Sequence, residues 1–227
     1  MTELNQTALK IVSNGKGILA ADESTGTMTK RLDSINVISN PENRLMFREA
    51  LFSSNGMENF IGGVILFDET IKQNTKSGNS IPELINQSGA VIGIKVDAGA
   101  KVLAGSPEEK VTEGLDGLRE RLTEYYKLGA RFTKWRAVYS ISDIYPSELA
   151  IKSNAHALAR YAALVQEAKM VPIVDRVARW SVAIIYLSPV IGIITRHPMP
   201  FSLLLLLGLS GFIARMMVHA VTLPIEF

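Results

Sequence analysis

The stretch Val91-Ile92-Gly93-Ile94-Lys95 is a short apolar run that ends on a charged residue, and the chain repeats this pattern. The four other runs are Ile18–Ala21 before Asp22, Val64–Phe67 before Asp68, Phe132–Arg136, and Val171–Val174 before Asp175. Short apolar runs are typical of strands that are buried on both faces of a parallel sheet. The carboxyl ends of such strands are where α/β proteins place their functional side chains. The pattern therefore predicts parallel strands whose charged ends share one functional edge.

Helical patterns separate the apolar runs. One helix is predicted to end near Val12, and others are predicted over Glu42–Ser53, Leu115–Tyr125 and Ala155–Ala168. Asn40 and Pro41 supply a cap and a first helical position for the second of these, and Ser106–Glu109 has the pattern of a capping box. Strands that alternate with helices form right-handed βαβ units around a parallel sheet. The predicted fold class is therefore α/β.

Two α/β architectures fit this alternation, an open doubly wound sheet and a closed (βα)8 TIM barrel. A dinucleotide-binding sheet would carry Gly-x-Gly-x-x-Gly after its first strand. This chain has Asp22-Glu23-Ser24-Thr25-Gly26 there instead. The barrel is therefore favoured, and the runs account for its first five strands.

Composition narrows the classes of partner. The chain has 24 basic and 22 acidic residues in a total of 227, a net charge of +2, and no cysteine. This near-balance gives no argument for a nucleic-acid partner, and disulfides and thiolate metal sites are excluded. His197 and His219 are far apart and show no ligand spacing, so no metal is expected. The N-terminus lacks the basic start and apolar core of a secretion signal, so a cytoplasmic location is expected.

The fourth run carries the most specific charges. Side chains in a strand alternate between faces, so Lys134 and Arg136 point one way and Trp135 the other. Two cations on a buried strand need an anionic partner, which a carboxylate or a phosphate ligand would supply. Lys95 and Asp97 have the same spacing, and Asp22 is expected to meet them at one mouth. Neighbouring cations would lower the pKa of a lysine there. The alternative is an internal ion-pair network, or charges in solvent beyond the strands.

Several motifs in order resemble the class I fructose-bisphosphate aldolases. They are Gly15–Gly26, Gly62–Phe67, Gly93–Asp97, Leu115–Leu118, Lys134–Arg136 and Leu158–Ala162. The resemblance runs from about Leu9 to Val174. It implies a (βα)8 barrel that cleaves fructose 1,6-bisphosphate to dihydroxyacetone phosphate and glyceraldehyde 3-phosphate. It also implies a lysine Schiff base, no cofactor or metal, and a homo-oligomer.

The resemblance assigns catalytic roles to three positions. Asp22 matches the first-strand aspartate that assists proton transfer around the Schiff base, and Lys134 matches a fourth-strand lysine near the reacting carbons. Asp175 takes the place of a fifth-strand glutamate that acts as acid and base. Its side chain is one methylene shorter, which matters because proton transfer needs contact at about 2.6–3.2 Å.

Five further positions are assigned to substrate binding. Lys95 resembles the third-strand lysine of the family site, and Arg136 resembles the fourth-strand arginine beside a phosphate. Ser24, Arg31 and Arg44 fall where the family contacts substrate phosphate. The two arginines on helices, Arg31 and Arg44, are also consistent with ordinary surface charges.

After Val174 the resemblance ends. The family continues with Glu-Pro-Glu, whereas Asp175-Arg176-Val177 follows here, and no lysine occurs after Lys169. In the family the imine lysine lies on a later strand, so no Schiff-base lysine is present. The resemblance therefore predicts two parts, a partial aldolase-type barrel over 1–175 and an unrelated apolar tail over 176–227.

The tail has three possible origins. After residue 180 only Arg196, Arg215 and Glu226 are charged. The change in composition fits a frameshift or altered splice. It also fits a membrane anchor fused to a partial barrel, or a replacement segment that completes the barrel. A membrane span needs about 20 apolar residues, and the uncharged stretch 198–214 is borderline. Two functions follow: a truncated, impaired aldolase acting on sugar phosphates, or a non-catalytic, truncated or membrane-associated relative.

Overall fold

The structure is a computed structural model that describes residues 2–177. Seven strands lie in this part of the chain: β1 Gly17–Ala21, β2 Ile61–Leu66, β3 Val91–Lys95, β4 Gly99–Leu103, β5 Ser106–Glu113, β6 Phe132–Val138 and β7 Val171–Val177. Eight α-helices lie there as well: α1 Glu3–Val12, α2 Thr25–Asp33, α3 Pro41–Phe52, α4 Met57–Phe60, α5 Asp68–Ile71, α6 Ile81–Gln87, α7 Leu118–Lys127 and α8 Glu148–Glu167.

The predicted runs form one parallel sheet in the order β1-β2-β3-β6-β7. All four of its pairings are parallel. The α/β class and the five strands are thus confirmed. The tail is predicted to begin at residue 176, but Arg176 and Val177 still belong to β7 and pair with β6. The rest of the predicted tail, from residue 178 onward, lies outside the described residues, and so do its three proposed origins.

The sheet is curled as part of a barrel. Lys134 lies on β6 and Asp22 follows β1, three strands away in the sheet, yet their side chains are 2.9 Å apart. Neighbouring strands are about 4.8 Å apart, so three steps across a flat sheet exceed the reach of a lysine side chain. The strands must therefore bend round until the ends of β1 and β6 face each other.

The predicted helix start at Asn40 is confirmed, and a local cap at Thr2 also begins α1. The side chain of Thr2 accepts from the Asn5 amide at the start of α1, and the Asn40 side chain accepts from Asn43 at the start of α3. These caps satisfy backbone N–H groups that have no partner inside the helix.

The capping-box prediction at Ser106–Glu109 is wrong. These residues begin β5, which pairs antiparallel with β4 to form a hairpin between β3 and α7. Ser106 does bind Glu109, at 2.8 Å between Oγ and Oε2. The Glu109 carboxylate also accepts from the backbone N–H of Ser147, at 2.8 Å, and so ties the hairpin to the residue that caps the start of α8.

Two apolar cores cover the faces of the sheet. Trp135 is fully buried beneath α8, where its ring lies 5.2 Å from that of Tyr161. On the other face α1 packs across the amino-terminal end of the sheet, with Ile11 and Phe132 in one cluster. The amino-terminal end of the sheet is therefore apolar, and the charged side chains lie at its carboxyl edge.

Candidate functional site

Lys134 lies at the centre of the carboxyl edge, between two carboxylates. Its Nζ is 2.9 Å from Oδ2 of Asp22 and 3.2 Å from Oδ2 of Asp175. The Lys134 and Asp22 side chains are only 12% and 10% exposed, and that of Asp175 is 30% exposed. The structure thus brings together all three residues predicted to be catalytic, from β1, β6 and β7.

The electrostatics of Lys134 differ from the sequence expectation. Burial lowers the pKa of the ammonium, but the hydrogen bond to Asp22 and the charges of Asp22 and Asp175 outweigh it, so the pKa is raised. The expectation that neighbouring cations lower a lysine pKa here is wrong for Lys134, because its neighbours are carboxylates. Lys134 is therefore a charged group that can hold or donate a proton.

Lys95 forms a separate pair with Asp97. Its Nζ is 2.7 Å from Oδ1 and 3.0 Å from the backbone oxygen of Asp97. The Asp97 carboxylate is 2% exposed and also accepts from the N–H groups of Gly99, at 3.0 Å, and Arg136, at 3.3 Å. Asp22 pairs with Lys134 rather than with Lys95, so the mouth contains two separate clusters of charge: Lys95 with Asp97, and Lys134 with Asp22 and Asp175.

Arg136 projects into solvent from β6, the strand that also carries Lys134. It is exposed, whereas Trp135 beside it is fully buried, so the predicted alternation is confirmed. Its backbone is fixed, since Thr112 donates to its carbonyl oxygen at 2.6 Å. Within residues 2–177, no side chain pairs with its guanidinium, which is thus open to an anion.

A second group of charges surrounds the segment after β1. Glu23 follows Asp22 and forms ion pairs with both Arg31 of α2 and Arg48 of α3. Arg48 also donates to the backbone oxygen of Glu23, at 3.1 Å. Burial raises the pKa of the Glu23 carboxyl, but the hydrogen bond and charge of Arg48 and the charge of Arg31 lower it overall. Glu23 is thus an anion shared by two arginines.

The remaining phosphate-binding candidates lie near this group. Arg44 forms a two-pronged pair with Glu69, at 2.9 and 2.8 Å, and is mostly buried. Ser24 precedes α2, where its hydroxyl lies 3.2 Å from that of Thr27. Arg44 is therefore not an ordinary surface charge, while Arg31 is half exposed but paired.

Sequence reasoning missed three residues of this arrangement. Arg48 and Glu23 are absent from the predicted site, because nothing in a helical pattern marks a buried arginine and Glu23 lies inside a longer motif. The spacing of Asp97 from Lys95 places both residues on one face of the strand but assigns no role to Asp97. The spacing of two residues within a strand was the signal that could have found it.

The carboxylates of Asp22, Asp97 and Asp175 at this edge all lie in ion pairs with lysine side chains. No group of three or more His, Cys, Asp or Glu side chains that could hold a metal ion occurs in the described part of the chain. None of the helices described within 2–177 is long and apolar enough to cross a membrane.

A protein-family model matches residues 3–177 of the chain. The matching family model is described as "Glycolytic: Fructose-bisphosphate aldolase class-I". The match ends where β7 ends.

Curated proteins and solved structures agree with this match. A probable fructose-bisphosphate aldolase class 1 of Xylella fastidiosa is 55% identical over 173 residues, covering 76% of this chain and 52% of that protein. Fructose-bisphosphate aldolase B of Mus musculus is 53% identical over 174 residues, covering 76% and 48%. The chain therefore spans about half the length of these curated relatives.

A solved structure of fructose-bisphosphate aldolase from Plasmodium falciparum, in complex with TRAP and a small-molecule inhibitor, has the same fold. It superimposes with a TM-score of 0.79 at 44% identity, over 84% of this chain and 57% of that one. The curled sheet thus corresponds to part of that barrel.

Proposed function

Because this chain belongs to the class I fructose-bisphosphate aldolase family over residues 3–177, we propose that its carboxyl edge is the sugar-phosphate-binding half of an aldolase site. The proposed substrate is fructose 1,6-bisphosphate, which the whole enzyme would cleave to dihydroxyacetone phosphate and glyceraldehyde 3-phosphate. The observation that carries this proposal is the placement of Lys134 between Asp22 and Asp175 at the end of the strands.

Asp22, Lys134 and Asp175 would manage protons at the reacting carbons. A lysine between two carboxylates can pass a proton to either, and general acid–base catalysis needs groups within hydrogen-bonding distance. Asp175 reaches Lys134 although its side chain is one methylene shorter than the family's glutamate. Its shorter reach toward a substrate would slow the acid–base step.

Lys95 and Arg136 would bind the negative charge of the substrate. Arg136 is exposed and presents a planar guanidinium, which suits two-pronged phosphate recognition. Lys95 would contribute a point charge held in place by Asp97. Ser24, Arg31 and Arg44 would contact a second phosphate, in which case the two arginines must exchange or share their carboxylate partners.

The imine step is proposed to be missing from this polypeptide. A neutral amine attacks the ketone and releases water, and the protonated imine then accepts the electrons of the broken carbon–carbon bond. Lys134 is held as an ammonium and has no free electron pair, and no lysine follows Lys169 in the printed sequence. We expect binding of sugar phosphates without turnover.

Further parts of the proposal rest on the sequence and on family membership. They are a cytoplasmic location, a homo-oligomeric assembly, the absence of a cofactor, and a division into a partial barrel over 1–175 and a separate apolar segment over 176–227.

Calorimetric titration with fructose 1,6-bisphosphate tests the proposal. Arg136→Ala should weaken binding by about tenfold or more, because removal of a charge-assisted hydrogen bond costs about 1.5–3 kcal/mol. Arg160→Ala is the matched control, since Arg160 is an exposed arginine of α8 outside the proposed site, and it should leave binding unchanged. No measurable binding by the unmodified chain, or equal losses in both variants, would overturn the proposal.

A further inference from the structure

Arg48 is the most deeply buried arginine at the carboxyl edge. Its side chain is 2% exposed, although it carries a full charge. A buried charge of this kind is costly unless it is paired and hydrogen-bonded. Both conditions are met by a single residue, Glu23, through its carboxylate and its backbone oxygen.

Glu23 has a second and very different partner. Arg31 binds the other carboxylate oxygen of Glu23, but its side chain is 52% exposed. An exposed ion pair contributes at most about 1 kcal/mol and exchanges readily, whereas a buried one does not. The two arginines around Glu23 therefore differ in function: Arg48 holds the carboxylate, and Arg31 is free to leave it.

We propose that Arg48 is a positioning residue that retains Glu23 while Arg31 moves from the carboxylate to an incoming phosphate. This inference rests on the proposed function, in which Arg31 contacts a phosphate group of the substrate. In the free protein Arg31 would then be paired with Glu23. When Arg31 moves to the phosphate, the Glu23 carboxylate would remain paired with Arg48. Arg48 would also fix the backbone next to Asp22, through its hydrogen bond to the Glu23 carbonyl at 3.1 Å.

The charge balance gives the direction of each substitution. Without Arg48, the departure of Arg31 would leave a mostly buried carboxylate with no cation, so phosphate would bind less tightly. Without the charge of Glu23, Arg31 would have no strong internal competitor, so phosphate would bind more tightly. A lysine at position 48 keeps the charge but loses the planar two-pronged geometry, so its effect should lie between that of wild type and that of an apolar residue.

The test is a titration of the full chain with inorganic phosphate, followed through the Nε–H signal of Arg31 in NMR spectra. We expect Arg48→Met to weaken phosphate binding at Arg31 by up to about fivefold, Glu23→Gln to strengthen it by a similar factor, and Arg48→Lys to restore part of the loss. A purely structural role for Arg48 would leave the affinities of the folded variants equal. The same spectra report whether each variant is folded.

The outcomes separate this inference from the proposed function. Should Arg48→Met fail to fold, Glu23→Gln and Arg48→Lys decide the matter, because both keep a hydrogen-bonding side chain at the altered position. Equal affinities, or no movement of the Arg31 signal in either the wild type or Glu23→Gln, would overturn the inference. If fructose 1,6-bisphosphate binding depends on Arg136, the proposed function holds even when phosphate has no effect at Arg31. If the Arg48 variants change phosphate binding at Arg31, the inference holds even when Arg136→Ala has no effect.

Discussion

At the scale of single residues, the decisive feature is the charge of Lys134. Two carboxylates, from Asp22 and Asp175, surround its ammonium group. Because the three side chains come from strands far apart in the sequence, this cluster also joins the two ends of the curled sheet. Its charges therefore contribute both to the proposed chemistry and to the stability of the fold.

Replacing Lys134 should destabilise the protein. Lys134→Met would leave the carboxylates of Asp22 and Asp175 facing each other at a largely buried position, and we expect a loss of about 3 kcal/mol in the free energy of unfolding. Urea denaturation measures this loss. Lys152→Met is the control, because the Lys152–Glu148 pair is 75% and 80% exposed and should change stability by less than about 0.5 kcal/mol. Similar small changes in both variants would contradict the assignment.

Tyr139 should make the protein sensitive to alkali. Burial raises the pKa of its phenol from 10.0 to about 12, and its hydroxyl has no hydrogen-bond partner among the described residues. A folded pKa above the unfolded value gives stability that is complete below pH 10 and is lost as the pH rises toward 12.

Tyr139→Phe should therefore be more stable than wild type at about pH 11 and no less stable at neutral pH. Circular dichroism against pH, with phenolate absorbance recorded in parallel, measures the difference. Identical alkaline transitions for the two proteins would show that Tyr139 does not titrate on unfolding.

Sequence patterns predicted those site residues that lie on or directly after the strands. Asp22, Lys95, Lys134 and Arg136 could be found because strand ends share one edge and strand side chains alternate. Arg48 could not, since its partner lies 25 positions away and a helical arginine is usually solvated. Which carboxylate pairs with which lysine depends on the curvature of the sheet, and no local pattern expresses that curvature.

At the scale of elements, α1 is held against the sheet by close backbone contact. A Cβ atom on Gly62 of β2 would lie 1.9 Å from the carbonyl oxygen of Ile11. A Cβ on Gly93 of β3 would lie 2.3 Å from the ring of Phe132. The glycines in these two strand motifs therefore make room for the amino-terminal core.

Gly62→Ala should displace α1. The clash is with backbone rather than with a flexible side chain, so the helix must shift, and overpacking of this kind costs about 1–3 kcal/mol or more. Thermal unfolding and hydrogen exchange of α1 amides measure the effect. Gly26→Ala in α2 is the control: a Cβ there meets nothing within 4 Å, and alanine favours a helix by up to about 1 kcal/mol. An equally stable Gly62→Ala variant would contradict this packing.

The hairpin β4–β5 shows the limit of element prediction. Ser106, Pro107 and Glu109 match the start of a helix in composition, and Ser106 does bind Glu109. The segment forms a strand instead, because it pairs with β4 and because Glu109 binds Ser147. These are interactions with other elements, which a local motif does not contain.

At the scale of the whole molecule, the described part of the chain is an incomplete ring of strands. The sheet order places β1 and β7 at its two ends, and Ala20 of β1 is exposed. The chain spans 52% and 48% of two of its curated relatives. The ring would be closed in the family by strands that the match over residues 3–177 does not include.

The coding DNA offers a test at this scale. If a frameshift created the sequence after Val174, translation of another frame from that codon should yield Glu-Pro-Glu and further barrel strands. Sequencing the gene and translating all frames checks this expectation. Absence of those strands from every frame would exclude a frameshift.

We propose that the carboxyl edge binds sugar phosphate while Lys134 remains an ion-paired ammonium and forms no imine. Borohydride reduction of the chain with dihydroxyacetone phosphate, followed by mass spectrometry of the intact protein and its peptides, tests this directly. A full-length class I aldolase treated in parallel shows that the trapping works. We expect an unmodified mass for this chain, whereas a reduced adduct on Lys134 or Lys95 would show that an imine forms there.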